Sequence, residues 1–390
     1  MDNIEFVVGN RLVLENISTV PAWKPFDDRI IDFCGRLSDE LNKERRIRLY
    51  PDLVSLAFWL RKNNIKQVCK RYTDMDHHLG KGLIFHIAPG NVALSFAYSM
   101  LSGLLTGNTN IVRLPSRKFD QAELFSEILT NTLKEYNEIA SRICLIKYPH
   151  DKSITDKLSS ICHMRIIWGG DNTINTIRQS PINPRATEIT FADRFSICLI
   201  DADMYLSDYS PKKAAHDFYI DTYLTDQNAC SSPRIICWLG KNIEDAKMVF
   251  WNSLYDEISG YEMASVTTVD KMILYSKYLA YNNARVIIEK DYRIVRVEVD
   301  VLDNSILDNL GNSGFFYECN INTLDDILPI CTWKLQTLTY IGIEKETIKN
   351  FVISNAPSGI DRILPIGKTM DYSFIADGYD IVREMTREIL

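Results

Sequence analysis

The chain has 390 residues, enough for two domains with well-buried cores, and its 46% hydrophobic and 24% charged residues exclude a disordered protein. A formal charge of -7 argues against nucleic-acid binding, which needs a basic field to neutralise phosphates. The nine cysteines form no Cys-x-x-Cys pair and no finger spacing with histidine, so free thiols in a reducing cytoplasm are expected and a structural metal site is not.

The N-terminus, Met1-Asp2-Asn3-Ile4-Glu5-Phe6, is acidic and lacks the apolar stretch of a signal peptide. Apolar residues at helical spacing follow over 27–42 (Ile30, Ile31, Phe33, Leu37, Leu41) and 53–71 (Leu53, Leu56, Leu60, Ile65, Val68), which predicts two or three helices laid against something larger. His77 and His78 are adjacent on a predicted loop, where neighbouring side chains diverge, so they read as solvated rather than as a metal pair. The longest apolar stretch, 82–107, is interrupted by Pro89-Gly90-Asn91, which leaves about 14 residues, too few to span a bilayer. It reads instead as a buried strand (82–88), a turn and a helix (92–105) stopped at Gly107.

The alternation continues with strands over 111–114, 141–147 and 164–168 and helices over 121–136, 155–161 and from about 174. Strands and helices at this interval imply right-handed crossovers and a doubly wound parallel sheet. Ligands of such sheets sit outside the carboxyl ends of the strands, where the turns at 89–91, 115–117 and 169–173 lie. Gly169-Gly170 before a helix lets a pyrophosphate approach free N–H groups, while Asp171 serves the helix dipole equally well without a ligand.

After a strand over 195–200 the texture changes. Helices are expected over 214–224, 245–258, 269–281 and 324–330, with strands over 235–239, 314–319 and 335–343. The charge alternation of 284–301 suggests an exposed two-strand unit, and a turn-rich return over 359–367 precedes a closing helix over 379–390. One loop in this half stands out: Asp226-Gln227-Asn228-Ala229-Cys230-Ser231-Ser232-Pro233-Arg234. It places a thiol among small residues just ahead of the apolar run 235–239, where a core-filling cysteine such as Cys237 would sit inside the run. A loop cysteine of no consequence is the alternative.

Five segments in order resemble the LuxC-type acyl-CoA reductases of the aldehyde dehydrogenase superfamily: residues 86–92 (His-Ile-Ala-Pro-Gly-Asn-Val), 103–113, Trp168-Gly169-Gly170, Gln227 to Pro233, and Gly359 to Gly367. The resemblance covers roughly 80–390. It implies an α/β, aldehyde-dehydrogenase-like architecture with a doubly wound parallel-sheet cofactor domain plus a second α/β catalytic domain. The expected boundaries are an N-terminal helical segment packed on the cofactor domain (1–80), the nucleotide-binding domain (81–199), the catalytic domain (200–360) and a C-terminal return segment (361–390).

The resemblance also implies chemistry. A thiolate at Cys230 attacks an acyl thioester, on CoA or another carrier, and Asn91 with the Cys230 N–H stabilises the oxyanion. Gly169 and Gly170 meet the pyrophosphate. Ser116 stands where NAD-preferring members carry an acidic residue, and with Arg113 and Arg117 beside it a 2′-phosphate is admitted, so NADPH is the expected cofactor. Acid-forming members use a glutamate base where this chain has Thr190, with Glu188 nearby; its absence suits a reductase. The glutamate that holds the nicotinamide ribose has no good counterpart, Glu318 being a poor one. The superfamily commonly forms homo-oligomers, and luminescence members act with an acyl-activating partner enzyme. Two other readings remain at this stage: a cofactor-independent acyl transferase or thioesterase with His216 as base, and a non-catalytic scaffold.

Overall fold

A computed structural model describes residues 3–390, which form two compact units: the chain up to Ala192 together with Tyr372–Leu390, and Asp193–Asp371. The first unit runs β1 (Glu5–Val8), α1 (Arg11–Asn16), α2 (Asp28–Lys43), α3 (Pro51–Trp59), α4 (Lys62–Cys69), β2 (His78–Gly80), β3 (Leu83–Ile87), α5 (Ser95–Leu105), β4 (Thr109–Arg113), α6 (Asp120–Leu133), α7 (Asn137–Ala140), β5 (Ile143–Lys147), α8 (Lys152–Ile161), β6 (Met164–Trp168), α9 (Asp171–Arg178) and β7 (Thr187–Phe191).

Its sheet has the order β1-β5-β4-β3-β6-β7, with β1 an antiparallel edge and the rest parallel. Along the chain the parallel strands therefore lie third, second, first, fourth, fifth, the arrangement of a doubly wound dinucleotide fold. Every β3 residue is buried because helices cover both faces. Ile84 belongs to one hydrophobic core with Phe33 of α2, Leu101 of α5 and Phe125 of α6. Leu83, Phe85 and Ile87 face the other way, with Leu158 of α8 and Ile174 of α9. The two or three helices expected over 27–42 and 53–71 are three, α2, α3 and α4, because Arg61 is extended (φ -57, ψ 133) and restarts the chain as α4.

The second unit contains β8 (Phe195–Asp201), α10 (Ala202–Asp208), α11 (Pro211–Asp221), β9 (Pro233–Leu239), α12 (Ile243–Glu257), α13 (Ser265–Leu279), β10 (Arg285–Glu289), β11 (Ile294–Val299), α14 (Asn304–Leu307), β12 (Phe315–Asn320), β13 (Leu335–Ile341), α15 (Lys345–Asn355) and β14 (Arg362–Pro365). Its sheet order is β10-β11-β12-β9-β8-β13-β14, parallel except for the β10 edge. β8 lies near the centre of this sheet, so the strand that the sequence placed at the end of the first domain belongs to the second unit. Of the two strands in 284–301 only β10 carries exposed residues, since β11 is sandwiched between β10 and β12 and largely buried.

The chain then returns to the first unit as β15 (Ile375–Ala376), β16 (Tyr379–Asp380), α16 (Ile381–Glu384) and β17 (Thr386–Glu388). The closing helix expected over 379–390 shrinks to α16, because β17 pairs antiparallel with β2, whose His78 is thereby a ladder residue rather than a loop residue. Among the described residues no helix is long and apolar enough to cross a membrane, and no group of three or more His, Cys, Asp or Glu side chains is placed to hold a metal ion.

A buried polar network fixes the exit of β3. Trp168 Nε1–H donates to Ser99 Oγ (3.2 Å), leaving the Ser99 hydroxyl for His86 Nδ1 (2.8 Å) and the ring proton on Nε2, facing Asn110 Oδ1 (2.9 Å). Asn110 Nδ2 continues to Asn108 O (3.2 Å), and Asn108 Oδ1 accepts from Gly82 N (2.9 Å). Gly103 is required here, since a Cβ would lie 2.0 Å from Asn110 Oδ1. The 103–113 motif is thus largely scaffold. Burial drives the fully enclosed His86 from 6.5 to about 4. With the folded pKa depressed, its stabilising contribution is complete above pH 6.5 and lost as pH falls toward 4. Urea unfolding should therefore lose roughly 2 kcal/mol more between pH 7.5 and pH 5 in the native protein than in His86→Gln. Equal losses would contradict this assignment.

Candidate active site

The loop between α11 and β9 is bent by two consecutive left-handed residues, Asp226 (φ 51) and Gln227 (φ 58). Each costs about 1–2 kcal/mol for a side chain with a Cβ, so the loop must be held. Gln227 holds it. Its buried amide donates through Nε2 to Pro233 O (2.8 Å) and Phe315 O (3.2 Å), and Oε1 accepts from Gly314 N (2.9 Å) and Phe315 N (3.3 Å). One side chain thus ties both ends of the loop to the start of β12. Ser313 N donates to Asp226 O (2.9 Å), and Asn312 Nδ2 to Asn228 Oδ1 (2.9 Å). Behind that turn Lys271 of α13 donates to Ser313 O (2.5 Å) and Tyr292 O (2.6 Å). Burial pulls the Lys271 ammonium down to about 7.

Cys230 sits on this frame. Its carbonyl accepts from Ser196 Oγ of β8 (2.7 Å), which itself accepts from Thr337 N of β13 (3.2 Å). Ser232 N closes the turn on Ala229 O (3.0 Å). None of the nine cysteines is in a disulfide, and only Cys69 and Cys230 are half-buried rather than buried. In the core, burial pushes the Cys198 and Cys331 thiols up to about 12 and Cys319 to about 11, where they stay protonated and inert.

In the first unit, Asn91 is exposed on the turn after β3, and Gly169-Gly170 lies on the turn after the adjacent strand β6. The order of strands reverses between β3 and β6, so the structure brings these two turns to the switch point, the ligand crevice of open α/β sheets. Arg113 ends β4, the neighbour of β3 on the other side, and Ser116 and Arg117 follow it. Arg113 stacks over the Tyr148 ring (4.5 Å) and Arg117 over Phe119 (4.8 Å), while Ser116 is exposed. Cys230 belongs to the second unit.

These turns suit a dinucleotide. The N-cap of α9 is Gly170, with no side chain to cap the first-turn N–H groups. A Cβ at Gly90 would meet Pro115 Cβ at 3.8 Å, an ordinary contact, so this turn is not crowded by the next one. Two guanidinium groups near a serine are the residue types that a phosphate would take as donors. Asp171, in the first turn of α9, is the one charge there that an anion must tolerate.

Other carboxylates and bases are engaged elsewhere. Thr190 stands on β7 opposite Ile167. Glu188, two residues earlier, accepts from Arg165 Nε (2.7 Å) and Arg178 Nε (2.7 Å), so it does not substitute as a base. Glu318 is fully buried: Oε1 takes the indole N–H groups of Trp238 and Trp251 (2.8 Å each) and Oε2 takes Arg296 Nη1 (2.7 Å). His216 bonds Glu257 (2.8 Å) on the exposed side of α11. Sequence reasoning missed Ser196, Lys271, Arg234 and the work of Gln227; the paired amides around Cys230 were the one local hint of a braced loop.

The model of the LuxC acyl-CoA reductase family matches residues 18–254, more than half of the chain and inclusive of the Cys230 loop. The chain belongs to the LuxC acyl-CoA reductase family. Among its relatives, the long-chain acyl-protein thioester reductase of Vibrio harveyi is 28% identical over 321 residues, covering 79% of this chain and 63% of that protein. The Aliivibrio fischeri protein of the same name is 25% identical over 305 residues, covering 74% and 58%. This LuxC-family chain therefore spans less than two thirds of the length of these relatives. Solved structures of similar fold include an NAD-dependent benzaldehyde dehydrogenase from Corynebacterium glutamicum (TM-score 0.66, 12% identity, 96% of this chain and 88% of that one). Another is lactaldehyde dehydrogenase from Escherichia coli (TM-score 0.62, 14% identity, 92% and 85%). At such identities the likeness is one of fold, and it establishes the aldehyde-dehydrogenase-like architecture of this LuxC-family protein.

Replacing Gln227 by Leu strands two N–H groups and two carbonyls, each worth about 1–3 kcal/mol. Chemical denaturation should register a loss of at least about 3 kcal/mol, with proteolysis opening first in 222–234; a loss under 1 kcal/mol would show that the loop is held by something else.

Proposed function

We propose that the chain reduces a long-chain acyl thioester to the aldehyde with NADPH, through an acyl group carried on Cys230. The observation that carries this reading is a half-buried thiol on a braced loop, inside the span matched to the acyl-CoA reductase family. The relatives' names point to acyl groups borne by a protein and the family description to acyl-CoA; both present the same thioester carbon to Cys230.

The Cys230 thiolate attacks that carbon, and the charge moves to the carbonyl oxygen. The Asn91 amide and the Cys230 N–H donate to it, a role for which rigid mounts matter because the donors must be aimed before charge develops. The carrier leaves as its thiolate and the acyl group stays on sulfur. NADPH, when bound, supplies a hydride to the acyl carbon. Gly169 and Gly170 would lend backbone to its pyrophosphate, and Arg113, Ser116 and Arg117 would receive its 2′-phosphate. Collapse of the reduced adduct expels the Cys230 sulfur and frees the aldehyde, so one acyl thioester, one NADPH and one proton give one aldehyde, one carrier thiol and NADP+. With Thr190 at the base position and Glu188 locked by two arginines, nothing there activates water to hydrolyse the acyl group.

Cys230→Ala should abolish acyl-dependent NADPH oxidation, and Asn91→Ala should lower kcat about 10²- to 10³-fold, both followed by absorbance at 340 nm. Undiminished oxidation in Cys230→Ala would end the proposal.

A further inference from the structure

The second unit offers Cys230 no imidazole base. Its single histidine is His216, which bonds Glu257 on the exposed side of α11. Cys230 also follows a short turn rather than opening a helix, so no helix N-terminus is aimed at it from its own loop. A cysteine without either device titrates near 8.5 and is mostly thiol at neutral pH. A fixed cation supplies the missing charge, and the loop contains one.

Arg234 is the second residue of β9, four positions after Cys230. Its side chain folds back, and Nη2 donates to Gln227 O (3.2 Å), three positions before Cys230. The guanidinium therefore closes the 227–234 segment as a chord, with Cys230 inside the closed stretch. Its Nε is buried and meets no hydrogen-bond acceptor, a costly arrangement for a charged group unless a counter-charge lies close.

We propose that Arg234 holds Cys230 as a thiolate, a positioning residue that acts through charge on the nucleophile; this rests on the reading of Cys230 as the nucleophile. Burial pulls the Arg234 pKa down, and the charges of Cys230 and Asp193 pull it back up. The coupling is reciprocal, so the same guanidinium favours loss of the Cys230 proton, with Asp193 as the opposing charge. Arginine takes no proton at these pH values. The thiol proton passes to solvent from the half-buried Cys230 before the acyl group arrives. The S–C bond then forms as the bond to the carrier sulfur breaks, and the departing carrier thiolate takes up a proton from water.

The test is the pH profile of iodoacetamide alkylation at Cys230, followed by peptide mass spectrometry because eight other cysteines are present. In the native protein the rate should inflect below about 8.5. Arg234→Met should move the inflection up by about one unit or more, slowing alkylation at neutral pH about tenfold, and Arg234→Lys should keep most of the native profile. Arg234→Gln keeps a donor for Gln227 O without the charge and should shift like Arg234→Met, which covers the case in which the methionine variant does not fold. An unshifted inflection in a folded Arg234→Gln or Arg234→Met protein overturns the inference. A native protein whose Cys230 alkylates yet takes no acyl group fails the nucleophile reading instead, so the two failures are distinguishable.

Discussion

The side-chain amide of Gln227 uses both of its donor hydrogens and its acceptor oxygen within the core of the second unit. It has to, because two left-handed residues in succession would otherwise open the loop. Through that amide the cysteine turn becomes part of the sheet: its far end is Pro233 at the head of β9, and its other partners stand at the head of β12, the adjacent strand. Ser196 and Thr337 then fix the Cys230 carbonyl from β8 and β13, and Lys271 braces the facing turn from behind. In the mechanism we propose, a nucleophile mounted this way loses little further freedom when an acyl group arrives, which is where a braced loop contributes to rate.

The first unit solves a related problem with a different network. The turn after β3 must be stiff at its root and open at its tip. His86, Ser99, Asn110 and Asn108 provide the stiffness, all buried and mutually bonded. Gly90 and Asn91 provide the open tip. In both units, residues that recur in the family motifs divide into those that hold the backbone and those that face a ligand. His86 and Gln227 are of the first kind; Asn91 and Cys230 are the residues we propose for the second.

The doubly wound sheet of the first unit was legible in the sequence because its strands are buried on both faces and its helices have regular apolar spacing. The motif resemblance located Cys230. What escaped depends on long-range pairing. The tail reads as a helix because Ile381, Val382 and Met385 have helical spacing, but Thr386 to Glu388 finds β2 about 300 residues away in sequence. The 284–301 segment reads as exposed because of its charges, yet Arg296 is directed inward to the buried carboxylate of Glu318. β8 reads as a last strand of the first domain because nothing local says which sheet it joins. Likewise Gln227 and Arg234 look like loop polarity until their partners are known.

The central claim is that Cys230 carries the acyl group and yields it to reduction rather than to water. The most direct measurement is the mass of the intact protein after mixing with a long-chain acyl-CoA, then with NADPH, with the adduct mapped by peptide analysis. The account predicts a single acyl addition on Cys230 that persists in buffer and disappears on adding NADPH, with aldehyde released. No addition, an addition at another residue, or one that NADPH leaves in place would contradict it.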